Sequence, residues 1–174
     1  MSELTPSRKK FGIARRLAFK LHRIAGNDVK AVFAGGSLAA NIAIENSDID
    51  MVVVGNDTKA MRSGIDAILH GALTAKEKLS LWVISAETFE DYGTSRTLWR
   101  RFLRDLRGHV HIPELMLRCA LPVFGQKYAN MHKNCWRRPN LKTIKKKYLN
   151  GIAINQKLER VKYKSPAARK RFLR

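Results

Sequence analysis

Ala34-Gly35-Gly36-Ser37, followed after ten residues by Asp48-Ile49-Asp50-Met51, is the stretch of sequence that decides the fold of this chain. A short apolar run rich in β-forming residues, 29–34, leads into the glycines, and a second apolar run follows the two carboxylates. Both runs predict strands, over residues 29–34 and 48–55. The glycines break the first strand, and residues 38–44 are predicted to form a short helix between the two strands.

Gly35, Gly36 and Ser37 have the chemistry of a phosphate-binding turn. Glycine lets the backbone approach a phosphate closely and lets amide groups point at its oxygens. Ser37 can donate its hydroxyl to the same oxygens, and the N-terminus of the following helix favours negative charge. We therefore predict that these three residues bind a nucleotide through its phosphates.

Asp48 and Asp50 are two residues apart on a predicted strand, so their side chains project from the same face. Two carboxylates on one face, beside a triphosphate, form the hard-oxygen ligand set that Mg²⁺ prefers. We predict that both residues hold the metal and act in catalysis. The alternative is that they are surface carboxylates of an edge strand and that the glycines are an ordinary turn.

These residues resemble a pattern of the polymerase-β-like nucleotidyltransferase superfamily, in its small, minimal-domain form. That pattern is an apolar residue, two small residues, a spacer of about ten, and two acidic residues that alternate with apolar ones; Ser47 before Asp48 also fits it. The segments 79–85 and 121–125 resemble the third core strand of the family and the Pro- and Gly-containing end of its small members. The resemblance implies that the chain binds a nucleoside triphosphate with Mg²⁺ and transfers a nucleotide to an RNA or protein acceptor.

One position departs from the family pattern. Active members carry a third acidic residue on the third strand, and strand alignment puts Ser80 in its place. A serine cannot act as an anionic ligand, nor as a base at neutral pH. Glu77, Glu87 and Glu90 are the nearby acids that could substitute in another register, with Glu77 the best of them. Two functions therefore stay open: an active transferase, and a catalytically degenerate RNA-binding or ribonucleoprotein component.

The rest of the sequence predicts an α/β fold with a small mixed sheet flanked by helices, which we expect to cover one side of it. Helices are predicted over residues 8–25 and 59–73, a third strand over 79–85, and a helix that opens at Ser85. Further helices are predicted over 98–106 and 113–120, before an extended segment at 121–125. A basic, largely helical C-terminal extension follows, with a helix proposed over 142–162.

Charge is the exceptional bulk property of the 174-residue chain, which has a net charge of +20. Residues 127–174 hold 16 Lys and Arg and a single acid, Glu159, whereas residues 1–126 have a net charge of only +5. We therefore predict two parts, a nucleotidyltransferase-like domain (1–126) and a nucleic-acid-binding extension (127–174), in a cytoplasmic protein with RNA as its partner and no membrane contact. The predicted nucleic-acid-binding residues are Arg137, Arg138, Lys145, Lys146, Lys147, Arg169, Lys170 and Arg171.

Two weaker alternatives involve histidines. Arg104 and His109 have the Arg-x4-His spacing found in ribonuclease partners of some small nucleotidyltransferase antitoxins, but that motif belongs to a helical bundle of its own. His109 and His111 alternate across one residue and could ligate a metal from one face, although no third ligand lies nearby in sequence.

Overall fold

A computed structural model of the chain describes residues 5–92, 119–135, 140–146 and 149. The helices predicted over 98–106 and for most of 113–120 lie outside these residues. So do Arg104, His109 and His111, and most of the C-terminal extension.

The described helices and strands follow the predicted order. They are α1 (Pro6–Ala25), β1 (Val29–Ala34), α2 (Gly36–Ala39), β2 (Ile49–Gly55), α3 (Lys59–Thr74), β3 (Leu79–Ser85), α4 (Ala86–Tyr92), β4 (Leu121–Phe124) and α5 (Gln126–Cys135), followed by a helical segment over 141–146. A 3₁₀ turn, Gly26–Asp28, joins α1 to β1. The α/β class with a small mixed sheet is therefore confirmed.

The four strands form one sheet in the order β3-β2-β1-β4. β1 is antiparallel to both β2 and β4, whereas β2 and β3 are parallel. The parallel pair is joined by α3, as such a crossover connection requires. The Gly35–Ser37 turn therefore lies at the end of β1 that is beside the start of β2, where Asp48 and Asp50 stand.

Helices cover both faces of the sheet, not one as expected. On one face, α1 and α3 pack on alternate residues of the central strands, among them Val32, Met51 and Val53. On the other face, α4 and α5 pack through Phe89 and Tyr128 on a second cluster. That second cluster includes Ala31, Phe33, Val52, Val54 and Ile84. The prediction included α4 but placed the helices on one side of the sheet, and it gave no helix at the position of α5.

Three side chains from beyond residue 126 are buried in the body of the protein. Tyr128 packs edge-on against Phe89, and the His132 ring lies 5.2 Å from the ring of Phe33. Ile144 is buried with Ala39 and other residues of a third cluster. The division of the chain at residue 126 stays a prediction, and these contacts tie its two parts together.

The short helix α2 differs from its prediction, which placed it over residues 38–44. It starts two residues earlier, at Gly36, and ends at Ala39. Asn41 then adopts a left-handed conformation, with φ of +54°, which interrupts the helical path. Asparagine tolerates that conformation better than most residues, so a stop at this point is consistent with the local sequence.

Among the described helices, none combines the length and apolar character that crossing a membrane requires.

Candidate active site

The glycine turn is anchored directly to the carboxylate strand. The backbone N–H of Gly35 donates to the carbonyl oxygen of Asp50 at 2.9 Å. That amide is therefore occupied, and Gly35 holds the turn in place rather than offering its N–H to a phosphate. Gly36 follows with a φ of +56°, and Ser37 lies at the start of α2 with only 8% of its surface exposed.

Gly36 lies against the side chain of Asp50. A Cβ atom at residue 36 would stand 2.7 Å from Cγ of Asp50, and nearer still to Oδ2. No real Cβ tolerates such an approach, and the left-handed φ also disfavours any other residue. Glycine is therefore favoured here on two grounds, since any other residue would strain the backbone and would displace the Asp50 carboxylate.

The two carboxylates have different surroundings. Asp48 precedes β2 and is exposed, whereas Asp50 is half-buried within the strand. Burial, and secondarily repulsion from the Asp48 carboxylate, raises the pKa of Asp50 from its ordinary value of 3.8 to about 6. The ionised pair is thus unfavourable in the protein alone, and a bound cation would relieve both effects.

Ser80 is the direct neighbour of Asp50 in the sheet. The two residues are paired in the parallel register of β2 and β3, so their side chains project from the same face. The strand alignment made from the sequence therefore placed Ser80 correctly beside the carboxylates. Its hydroxyl can donate or accept a hydrogen bond, but it adds no negative charge to the site.

The acids considered as substitutes for Ser80 have other roles or positions. Glu77 accepts a hydrogen bond from Lys10 at 2.7 Å, in an ion pair whose lysine side chain is only 4% exposed. Glu87 and Glu90 belong to α4, after the far end of β3, and Glu90 binds Lys127 and Tyr128. In the described part of the chain, no three His, Cys, Asp or Glu side chains are grouped as a metal site.

The donor set at Asp48 and Asp50 nonetheless fits a hard divalent cation. Both groups are carboxylates, and Asp48 lies near enough to Asp50 for its charge to raise the pKa of Asp50. Mg²⁺ is commonly bound by one or two carboxylates together with phosphate oxygens and water. Two carboxylate ligands beside the predicted phosphate-binding turn are consistent with this mode of coordination.

The structure brings only some of the predicted nucleic-acid-binding residues near the site. Lys145 and Lys146 lie on the 141–146 segment, whose Ile144 packs against Ala39 and Ala40 just after the glycine turn. The remaining predicted cations of the extension, which the structure does not describe, are Arg137, Arg138, Lys147, Arg169, Lys170 and Arg171.

The buried Lys10–Glu77 pair was missed by sequence reasoning. It joins α1 to the turn before β3, where the carbonyl of Lys78 accepts a hydrogen bond from Ile49 N–H at 2.7 Å. Ile49 separates the two carboxylates, so this pair supports the strand that carries them. The only sequence signal was that Lys10 falls among the apolar residues on the inner face of α1.

The fold and the paired carboxylates beside a glycine turn define a nucleotidyltransferase-type α/β protein. The sequence profile of the nucleotidyltransferase domain matches residues 14–105, more than half of the chain. The chain therefore belongs to the nucleotidyltransferase domain family, and the family resemblance seen in the sequence is confirmed. No curated protein sequence matches the chain.

Several solved structures are similar at low sequence identity. A toxin–antitoxin structure with AMP-PNP is 15% identical with a TM-score of 0.41, covering 83% of this chain and 98% of that one. A mutant of the toxin–antitoxin MntA–HpeT is 13% identical with the same TM-score and coverage. A protein of Sulfolobus solfataricus assigned to the nucleotidyltransferases is 14% identical, with a TM-score of 0.36, covering 52% of this chain and 84% of that one.

Proposed function

We propose that the protein binds a nucleoside triphosphate with Mg²⁺ and transfers a nucleotide to an acceptor on RNA or protein. The proposal is supported by membership of the nucleotidyltransferase domain family and by the joint geometry of the turn and the carboxylates. The single observation that carries it is the contact of Gly36 with Asp50. A phosphate held at the turn would lie beside a metal ligand because no side chain separates the two.

Each residue of the site has a distinct role in this proposal. Gly35 fixes the turn through its hydrogen bond to Asp50, and Gly36 leaves room for the carboxylate. Ser37 donates to a phosphate oxygen, and Asp48 and Asp50 hold the metal. When bound, Mg²⁺ supplies positive charge that neutralises the triphosphate and stabilises the leaving oxygen.

A second candidate function is favoured by the pairing of Asp50 with Ser80. A site with two carboxylates can bind a metal and a nucleotide while lacking a strong base for the attacking hydroxyl. The protein would then be a catalytically degenerate, nucleotide-binding and RNA-binding member of the family. The extension 127–174, with its net charge of +15, supports nucleic-acid binding in both candidates.

Incorporation of each labelled nucleoside triphosphate into RNA and into protein tests the first proposal. The wild-type protein is expected to label an acceptor, and Asp48→Asn/Asp50→Asn, which keeps side-chain shape, is expected to abolish labelling. A lack of labelling by the wild type with all four nucleotides, alongside measurable Mg²⁺-dependent nucleotide binding, would favour the degenerate alternative.

Ser80→Asp separates the two candidates further. In a degenerate site, a carboxylate restored beside Asp50 is expected to create or increase transfer while nucleotide affinity changes little. Ser80→Asn is the matched control because it adds similar bulk without charge. Equal activity of the two variants would show that a third carboxylate at this position is not what limits the reaction.

A further inference from the structure

The outer surface of helix α1 is strongly basic. Its 20 residues include seven Lys and Arg and no acid. Its inner face is apolar and buried on the sheet and α3, through residues such as Leu17 and Leu21. At 100° per residue, Arg8, Arg15, Arg16 and Arg23 fall within an arc of about 100° on the outer face. All four are exposed, and we refer to them as the arginine stripe.

The charge of the arginine stripe is uncompensated within the part of the chain that the structure describes. Within the described ranges, none of its four members forms an ion pair with a carboxylate. The neighbouring Lys9, by contrast, lies 3.8 Å from Glu45. Fifteen residue steps separate the two ends of the stripe, which is about 22 Å along the helix axis. An extended row of unpaired guanidinium groups matches a polyanion rather than a single small anion.

An aromatic ring lies within the arginine stripe. Phe19 is 50% exposed, and the guanidinium of Arg15 lies 5.6 Å from the centre of its ring. Exposed aromatic rings among cations are how proteins bind single-stranded nucleic acid, because bases stack on the rings while cations track phosphates. A duplex hides its base faces and would leave this ring unused.

The stripe begins beside the proposed nucleotide site. Arg8 and Phe11 line a cavity of about 430 Å³ together with Leu38 and Ala39, which directly follow Ser37. Ser7 also accepts a hydrogen bond from the Ala43 N–H at 3.0 Å, which fixes this end of α1 near α2. A nucleic-acid strand bound along the arginine stripe would therefore reach the glycine turn at the Arg8 end of the stripe.

We propose that the outer face of α1 is a binding surface for single-stranded nucleic acid, formed by the arginine stripe and Phe19. An anionic membrane fits less well because the large apolar residues of α1 are mostly committed to the core, leaving only Phe19 and Ile24 exposed. The residues of this surface differ from those predicted to bind nucleic acid in the extension 127–174. It requires neither nucleotide nor metal, so its test does not depend on whether the site transfers nucleotides.

The test uses the full-length chain and a fluorescent oligouridylate, with anisotropy measured across a salt series in the absence of nucleotide and Mg²⁺. The four stripe arginines are changed together to glutamine, which keeps helix propensity. The matched control removes the same charge from exposed cations outside α1 and the extension, in Lys59→Gln/Arg62→Gln/Lys76→Gln/Lys78→Gln. Circular dichroism and thermal melting of both variants verify that the fold is retained.

The stripe variant is expected to bind at least tenfold more weakly than the control at low salt. Its slope of log affinity against log salt should fall by roughly 3, since each phosphate contact on a single strand contributes about 0.7. Coinciding curves for the two variants would overturn the proposal and assign binding to the rest of the chain. Loss of binding to phosphatidylserine vesicles with unchanged RNA affinity would overturn it in favour of a membrane surface.

Phe19→Ala tests the single-strand assignment. It should weaken oligouridylate binding about fivefold or more, because a stacked base contributes at least about that factor. Binding of an RNA duplex of equal length should change less than twofold. Equal loss on both probes, or no loss on either, would overturn the assignment to single strands.

Discussion

Replacement of Gly36 by alanine is the sharpest test of the site geometry. The added Cβ would stand 2.7 Å from Asp50 Cγ and closer to Oδ2, so either the carboxylate or the turn must move. The left-handed φ of +56° alone costs a non-glycine residue about 1–2 kcal/mol. We therefore expect a loss in the free energy of unfolding of about 2–4 kcal/mol, within the range for strained or overpacked sites.

Gly26→Ala supplies the matched control. Gly26 has the same φ of +56°, but a Cβ there would meet no atom within 4 Å. Its ψ of −131° lies outside the left-handed helical region, so the control carries a backbone cost of its own but no clash with a side chain. Urea denaturation measures the stability of both variants, and the contact with the Asp50 side chain is isolated by Gly36→Ala on an Asp50→Ala background.

The same replacement should also disable the site. Displacement of Asp50 is expected to weaken Mg²⁺-dependent nucleotide binding at least tenfold in Gly36→Ala, while Gly26→Ala binds like the wild type. Gly36→Ala should cost less stability on an Asp50→Ala background than in the wild type, since the clash is largely removed. If Gly36→Ala were as stable as the wild type and bound nucleotide normally, the inference from this contact would be wrong.

Two further predictions concern buried charge. Because the pKa of Asp50 is about 6 in the folded protein and 3.8 ordinarily, the metal-free protein should lose up to about 3 kcal/mol of stability as pH rises from about 4 to about 6. In Asp50→Asn, the stability measured by urea denaturation should change little between these pH values. An equally large loss in the variant would contradict the raised pKa of Asp50. For the Lys10–Glu77 pair, Glu77→Gln should lower the free energy of unfolding by about 3 kcal/mol or more. Lys10→Met should lower it less, because Glu77→Gln leaves a lysine side chain that is 4% exposed, whereas Lys10→Met leaves a glutamate that is 20% exposed. Both variants are compared by chemical denaturation. A larger loss of stability in Lys10→Met than in Glu77→Gln would show that the unpaired lysine binds another partner or contacts water.

The sequence predicts the strands of this fold better than its helices. Strands β1 and β3 were predicted at their observed bounds because each is a short β-forming apolar run between turn signals. Helix α5 was missed because its exposed face is polar and only a few of its residues reach the core. Neither the position of α4 on the second face of the sheet nor the presence of α5 was predicted. A helix that buries so few side chains leaves little periodicity to detect.

The site was predictable where it depends on local pattern and register, and not where it depends on distant contacts. Alternation along β2 and strand alignment together placed Ser80 beside Asp50, as the register shows. From the sequence, Glu77 remained a candidate for the missing third carboxylate, because no local signal shows that Lys10 binds it. The two residues are 67 positions apart and meet only through packing of α1 on the sheet.

The energetics of the carboxylate pair argue for cation binding more strongly than for turnover. A half-buried Asp50 beside Asp48 disfavours the ionised form, as its raised pKa shows, and an asparagine in the same place would avoid that effect. A divalent cation removes the repulsion between the carboxylates and offsets desolvation, so the arrangement is favourable mainly when the cation is present. Turnover needs a further property, a group that accepts the proton of the acceptor hydroxyl, and Ser80 does not supply it. The proposed binding of a cation and a nucleotide therefore rests on Gly36, Asp48 and Asp50, whereas the proposed transfer also depends on the residue beside Asp50 on β3.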